Sequence, residues 1–114
     1  MTVGLYNADL WCLDCTRRIR EQLGREGKAP PDPQDEYSYD SGDYPKTGEE
    51  GSADCPNHCA AGEACLNAIT LPSGRKVGEL LTEELTERGR EYVREAIKRG
   101  GEVAQLWREH YDLD

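Results

Sequence analysis

Apolar positions recur at helical spacing most clearly in the last third of the chain. Tyr92, Val93, Ala96 and Ile97 lie on one stripe, and Val103, Leu106, Trp107 and His110 or Tyr111 lie on a second. Residues three and four apart share a helix face, so this pattern predicts two amphipathic helices. Thr86 is a suitable N-cap with Glu87 in the first turn, and Gly100-Gly101 separates the pair. Nearer the start, Ile19 and Leu23 sit four apart. Thr16 before them and Gly24 after them bound a short helix, with Arg17, Arg18 and Arg20 facing solvent. Cys65 to Leu71 reads as a short strand, Pro72-Ser-Gly-Arg75 as a turn, and Lys76 to Leu80 as a returning strand. The segment before Cys12 has room for one more short strand.

Between these elements the apolar pattern stops. Residues 29–54 contain no Leu, Ile or Val, but hold Pro30, Pro31, Pro33 and Pro45 with Gly42, Gly48 and Gly51. That composition reads as a long loop, and loops of this length are usually functional or disordered. Tyr37, Tyr39 and Tyr44 are its large apolar groups. They either pack over the core or present rings to a partner. The segment carries one basic against eight acidic groups, which is most of the net charge of −9.

Composition sharpens the problem of how such a chain folds. Its 114 residues suit a single domain, but Leu, Ile and Val number only 18 and Phe is absent. That share lies below the roughly 20% at which high net charge favours disorder. Small domains with so thin a core are commonly held by a metal or by disulfides.

The cysteines supply a metal reading. Cys12-Leu-Asp-Cys15 places two thiols on one tight turn, and His58-Cys59 with Cys65 offers a second group far along the chain. Four N/S donors in a tetrahedron close a zinc site and leave no position for water, which makes such a site structural. The expected ligands are Cys12, Cys15, Cys59 and Cys65, with His58 and Cys55 as alternates. Zinc is the default for thiolate ligands without cluster spacing, ahead of iron. Trp11 and Trp107 are read as core residues flanking the site.

Other chemistries find less support. A catalytic zinc would have three ligands, an open position and a general base, for which Glu63 is placed between Cys59 and Cys65. The His-x-Glu and Pro-Cys-x-x-Cys order of the zinc deaminases is absent. A thioredoxin-like role for Cys12 and Cys15 needs a βαβ context that the pattern lacks. Asp40-Ser-Gly-Asp43 lacks the ligand alternation of an EF-hand loop. His110 is read as a boundary residue of the last helix.

Charge and hydropathy bound the partners. No apolar run is long enough to span a bilayer. The opening Met1-Thr-Val-Gly-Leu-Tyr6 has neither a basic region nor an apolar run, so a cytoplasmic location is expected. There, clustered cysteines bind metal more often than they form disulfides; an odd count of five also opposes a disulfide framework. Phosphate contact rests on Lys/Arg clusters, so direct nucleic-acid binding is disfavoured; Arg17, Arg18, Arg20 and Arg25 form the one local basic patch. The acidic stretch is either a solvated surface or a contact surface for a basic protein, including one that ordinarily binds nucleic acid.

Several segments resemble small uncharacterised proteins encoded by phages and bacteria. They are Tyr6-Asn-Ala-Asp-Leu-Trp-Cys-Leu-Asp-Cys15, Asp43-Tyr-Pro45, Pro56-Asn-His-Cys59, and Gly89-Arg-Glu-Tyr-Val93 with Trp107. The resemblance implies no activity, and a metal-binding role for Cys12, Cys15, Cys59 and Cys65. The chain departs from that pattern in two places. Five residues separate Cys59 from Cys65 where an HC-x-x-C spacing is the rule, and Cys55 stands where a hydroxyl residue is expected.

These readings combine into a small α+β domain stapled by zinc, with an N-terminal helix, a short β-hairpin and two C-terminal amphipathic helices. The expected function is that of a non-enzymatic interaction or accessory protein.

Overall fold

Asn7 and Ala8 both adopt left-handed backbone conformations, with φ of 52° and 62°. Two such residues in succession make the tight turn that matches the twist of paired strands. They join β1 (Thr2–Tyr6) to β2 (Asp9–Trp11) as an antiparallel hairpin, with Tyr6 opposite Asp9 and Gly4 opposite Trp11. The computed structural model describes residues Met1–Leu113. β3 (Lys46–Glu49) pairs with the other side of β1, giving a three-stranded sheet of order β2-β1-β3.

β3 corrects the expectation of an unbroken loop over residues 29–54. It is an edge strand with alternating half-buried and exposed positions, so it needs no Leu, Ile or Val. β4 (Ser52–Ala53) follows and pairs in parallel with β7 (Glu84–Leu85). The three tyrosines divide. Tyr44 is buried, Tyr39 packs edge-on against it at 5.4 Å, and Tyr37 is fully exposed.

The first helix, α1 (Leu13–Arg25), begins three residues before Thr16. Cys12, not Thr16, is its N-cap, because the Cys12 sulfur accepts the Cys15 N–H. Thr16 sits inside the helix, its hydroxyl donating to the Cys12 carbonyl at 2.8 Å. Gly24 does not stop the helix. Gly27 does so at φ +74°, with Gly27 N–H donating to Gly24 O and Lys28 N–H to Leu23 O. Nor do all the arginines face solvent: Arg18 and Arg20 turn back onto the protein. α1 lies so close to β1 that a Cβ on Gly4 would fall 1.8 Å from Thr16 Oγ1.

The predicted hairpin is present but short, as β5 (Ile69–Thr70) and β6 (Lys76–Val77). The two C-terminal helices are α2 (Glu87–Arg99) and α3 (Glu102–Tyr111). Thr86 caps α2 by accepting Gly89 N–H at 3.0 Å, and Gly100 and Gly101 turn the chain at φ of 83° and 109°. Tyr111 turns inward and donates to the Thr82 carbonyl at 2.7 Å, whereas His110 is exposed and touches the core only through its ring, edge-on to Tyr111 at 4.8 Å.

Two separate clusters of buried side chains result. One contains Val3, Leu81 and Cys12, Cys15, Cys59 and Cys65, with Leu5, Leu10 and Trp11 against it. The other contains Leu85, Val93 and Leu113, with Ile97, Trp107 and Tyr111. Trp107 therefore belongs to the helical cluster and not to the cysteine cluster. The radius of gyration is 15.9 Å. That exceeds the roughly 13 Å expected of a rounded chain of this length. Among the described residues no helix is long and apolar enough to cross a membrane.

Candidate metal centre

Cys12, Cys15, Cys59 and Cys65 come together, with all four sulfurs within 4.8 Å of one another and all four residues buried. Zn–S bonds of about 2.3 Å at the centre of a tetrahedron would place the sulfurs about 3.8 Å apart. The Cys12 and Cys65 sulfurs are 3.7 Å apart, one edge of such a figure. Donor type, number and spacing thus fit a closed tetrahedral thiolate site.

The polypeptide also surrounds the sulfurs with hydrogen-bond donors. Cys12 N–H donates to Cys59 Sγ at 3.3 Å, Cys15 N–H to Cys12 Sγ at 3.5 Å, Leu66 N–H to Cys15 Sγ at 3.4 Å and Asn67 N–H to Cys65 Sγ at 3.4 Å. Each sulfur therefore accepts a backbone N–H, as thiolates do. Two side chains add to this. Asn67 Nδ2 reaches Cys12 Sγ at 3.7 Å while also donating to Asp14, and Arg18 Nη2 reaches Cys15 Sγ at 3.7 Å. Four thiolates around a divalent cation carry two net negative charges, which these donors and the Arg18 cation offset.

Local folding explains each placement. Cys12 and Cys15 occupy the N-cap and first turn of α1, where the unpaired N–H groups of a helix start point outward. The five residues between Cys59 and Cys65 coil into a turn, with a 3₁₀ segment at Gly62–Ala64 and Gly62 at φ +57°. That turn brings Cys65 back to Cys59 despite the wide spacing. Gly78 allows the approach from the far side: a Cβ there would sit 2.2 Å from the Cys59 carbonyl oxygen.

Protonation follows from burial. Burial pushes the Cys12 thiol far above its ordinary value and Cys59 up to about 11. Burial opposes the Cys65 thiolate as well, but the backbone N–H groups of Glu79 and Asn67, with the Cys12 and Cys59 thiols, outweigh it and hold Cys65 below the usual range.

The alternates fall outside the cluster. His58 Nδ1 lies 2.7 Å from the Gly78 carbonyl and its Nε2 accepts Trp107 Nε1–H at 2.9 Å, so both ring nitrogens are engaged. Cys55 is half-buried with its sulfur 3.9 Å from Asn57 Oδ1. Glu63 is exposed and is not among the clustered groups. A recess of about 260 Å³ on the Cys12 side is lined by Met1, Asp14, Arg17 and Asn67, but Cys12 itself is only 2% exposed.

Three participants were not visible in the sequence: Asn67, Arg18 and Gly78. The one available signal was the position of Asn67 two residues after Cys65, where its N–H falls back onto the sulfur. Comparison with family models, curated proteins and solved structures found no match in any of the three.

Proposed function

We propose that the protein is a non-enzymatic interaction or accessory protein whose fold is held by one structural zinc ion on Cys12, Cys15, Cys59 and Cys65. The observation that carries this is the closure of the site. Four buried sulfurs lie at spacings that suit a tetrahedron, each accepts a backbone N–H, and among the described residues no carboxylate joins the group. When bound, zinc would cross-link the start of α1 to the segment after the acidic stretch. The chain's own groups orient the thiolates and exclude water. The resemblance to small phage and bacterial proteins is consistent with such a role and adds no activity.

The acidic stretch is the proposed contact surface, directed at a basic protein in a reducing compartment. It is held in a defined shape: Arg20 donates to Pro45 O at 2.7 Å and pairs with Glu36 at 3.3 Å, leaving Tyr37 fully exposed among acidic neighbours. Exposed aromatics with surrounding charge suit protein recognition.

The test is elemental analysis of protein purified without added metal, followed by cobalt replacement. One zinc per chain, and the intense charge-transfer and ligand-field bands of a tetrahedral cobalt–tetrathiolate, are expected. An absence of bound metal, or cobalt spectra of a five- or six-coordinate site with water, would overturn the structural-zinc reading. For the surface, salt-sensitive binding to a basic protein should be lost on neutralising Asp35, Asp40 and Asp43 together; binding unchanged by that variant would remove the acidic contact.

A further inference from the structure

β3 is an edge strand, and its outer side is already half occupied by the protein itself. In an antiparallel pair alternate residues turn their N–H and C=O groups to opposite sides. Glu50 N–H donates to Met1 O toward β1, so residues 45, 47 and 49 point their backbone groups outward. Thr47 N–H donates to Glu36 Oε1 at 2.9 Å and Thr47 Oγ1 donates to Glu36 Oε2 at 2.9 Å. The Pro45 carbonyl accepts Arg20 at 2.7 and 3.2 Å, with Tyr39 Oη at 3.3 Å. Glu36 and Arg20 thus do at the first half of this edge what a neighbouring strand would do. The Thr47 carbonyl and the Glu49 N–H and carbonyl continue the edge without a side-chain cap among the described residues.

We infer that the outer edge of β3 is a strand-addition site for an extended, lysine- or arginine-bearing segment of a partner protein, and that the acidic stretch carrying Glu36 is its built-in cover. This rests on the reading of that stretch as the contact surface. Displacing Glu36 would free the Thr47 N–H and so expose a run of outward groups from Thr47 to Glu49, enough to register an added strand by main-chain hydrogen bonds. Charge selects the occupant. Glu36, Glu49 and Glu50 flank the edge, and residues 29–54 carry eight acidic groups against one basic group. A basic strand gains from this field, whereas a second copy of the chain would bring a second acidic stretch against the first.

The test uses the full zinc-loaded chain and a seven-residue capped peptide alternating lysine and valine. A second peptide of the same sequence is N-methylated at alternate residues, which keeps the charge and removes the strand hydrogen bonds. Binding is read by calorimetry, and the Thr47 and Glu49 amides by hydrogen exchange. Glu36→Ala should bind the first peptide about tenfold more tightly than the unaltered chain does, and the N-methylated peptide at least tenfold more weakly than the first. The Glu49 amide should exchange at least tenfold more slowly in the complex. Thr47→Val, which removes only the hydroxyl contact to Glu36, provides a milder opening if Glu36→Ala loses its zinc or its circular dichroism. Equal binding of both peptides, with Glu49 exchange unchanged, would overturn strand addition while leaving the acidic contact intact. No salt-sensitive binding of either peptide would remove both. Self-association of Glu36→Ala in place of peptide binding would overturn the basic partner as occupant.

Discussion

At the residue scale the centre is governed by competition between metal and protons. Burial raises Cys12 and Cys59 above ordinary thiols, so both hold protons at neutral pH when no cation is present. Metal must displace those protons, whereas the lowered Cys65 gives up its own more readily. Zinc affinity should therefore rise with pH, by up to about tenfold per unit for each proton displaced between roughly pH 6 and 8. Competition titrations against a chromophoric chelator at several pH values would show it, and a flat profile would contradict thiolate ligation. Asn67 gives a second prediction. Its amide spans Cys12 Sγ and Asp14, so Asn67→Ala should weaken zinc by about tenfold with the fold retained, the usual loss for a group that orients a ligand. Asn67→Asp should be worse than alanine, since it sets a carboxylate against a thiolate.

At the element scale the hairpin that starts the sheet carries local strain. Ala8 sits at φ 62° and is exposed, and a non-glycine residue there costs roughly 1–2 kcal/mol. Ala8→Gly should relieve this against a smaller entropic loss of about 0.4–1 kcal/mol, for a net gain near 0.5–1 kcal/mol. Chemical denaturation would register it as a higher midpoint with an unchanged slope; a lower midpoint would show that the turn is not left-handed at that position. The same turn explains what was hidden in the sequence. Asn-Ala is a weak turn signal beside Asn-Gly, so β1 and β2 were legible only as one possible strand. β3 was hidden because Lys46, Thr47, Gly48 and Glu49 are polar, and an edge strand owes its place to backbone pairing with β1. The cysteines were legible for the opposite reason: ligation demands a residue type, and two of them fall on one tight turn. α2 and its caps were also legible, because Thr86 and Gly100 act through local geometry that recurs in any helix. Arg18, Gly78 and Asn67 act through contacts between segments far apart in the chain, which no local pattern records.

At the scale of the whole molecule, the proposed zinc site makes metal and fold depend on each other. Four of the six residues in the N-terminal cluster are cysteines, leaving Val3 and Leu81 as its fully buried aliphatics. The C-terminal cluster is no better placed to stand alone. Leu85 to Leu113 is shorter than the roughly 40 residues below which domains usually need a metal, disulfide or partner. The two clusters are joined by the β4–β7 pair, by Tyr111 to Thr82, and by the bond from Trp107 to His58, the residue beside Cys59. His58 thus stands outside the sulfur cluster and ties the loop that carries Cys59 to the helices. Removal of zinc by a chelator should accordingly unfold the chain in one transition. Helical circular dichroism, tryptophan emission and amide protection in α1 and α2 should be lost together and regained together on adding zinc. Protection that persists in α2 and α3 after the N-terminal half has opened would mean that the helical pair is stable alone. His58→Ala separates the two cases further, because it leaves all four sulfurs in place while cutting the link. In a jointly folded chain it should lower stability by about 1 kcal/mol, the loss of a hydrogen bond from a partly buried donor, with metal stoichiometry unchanged.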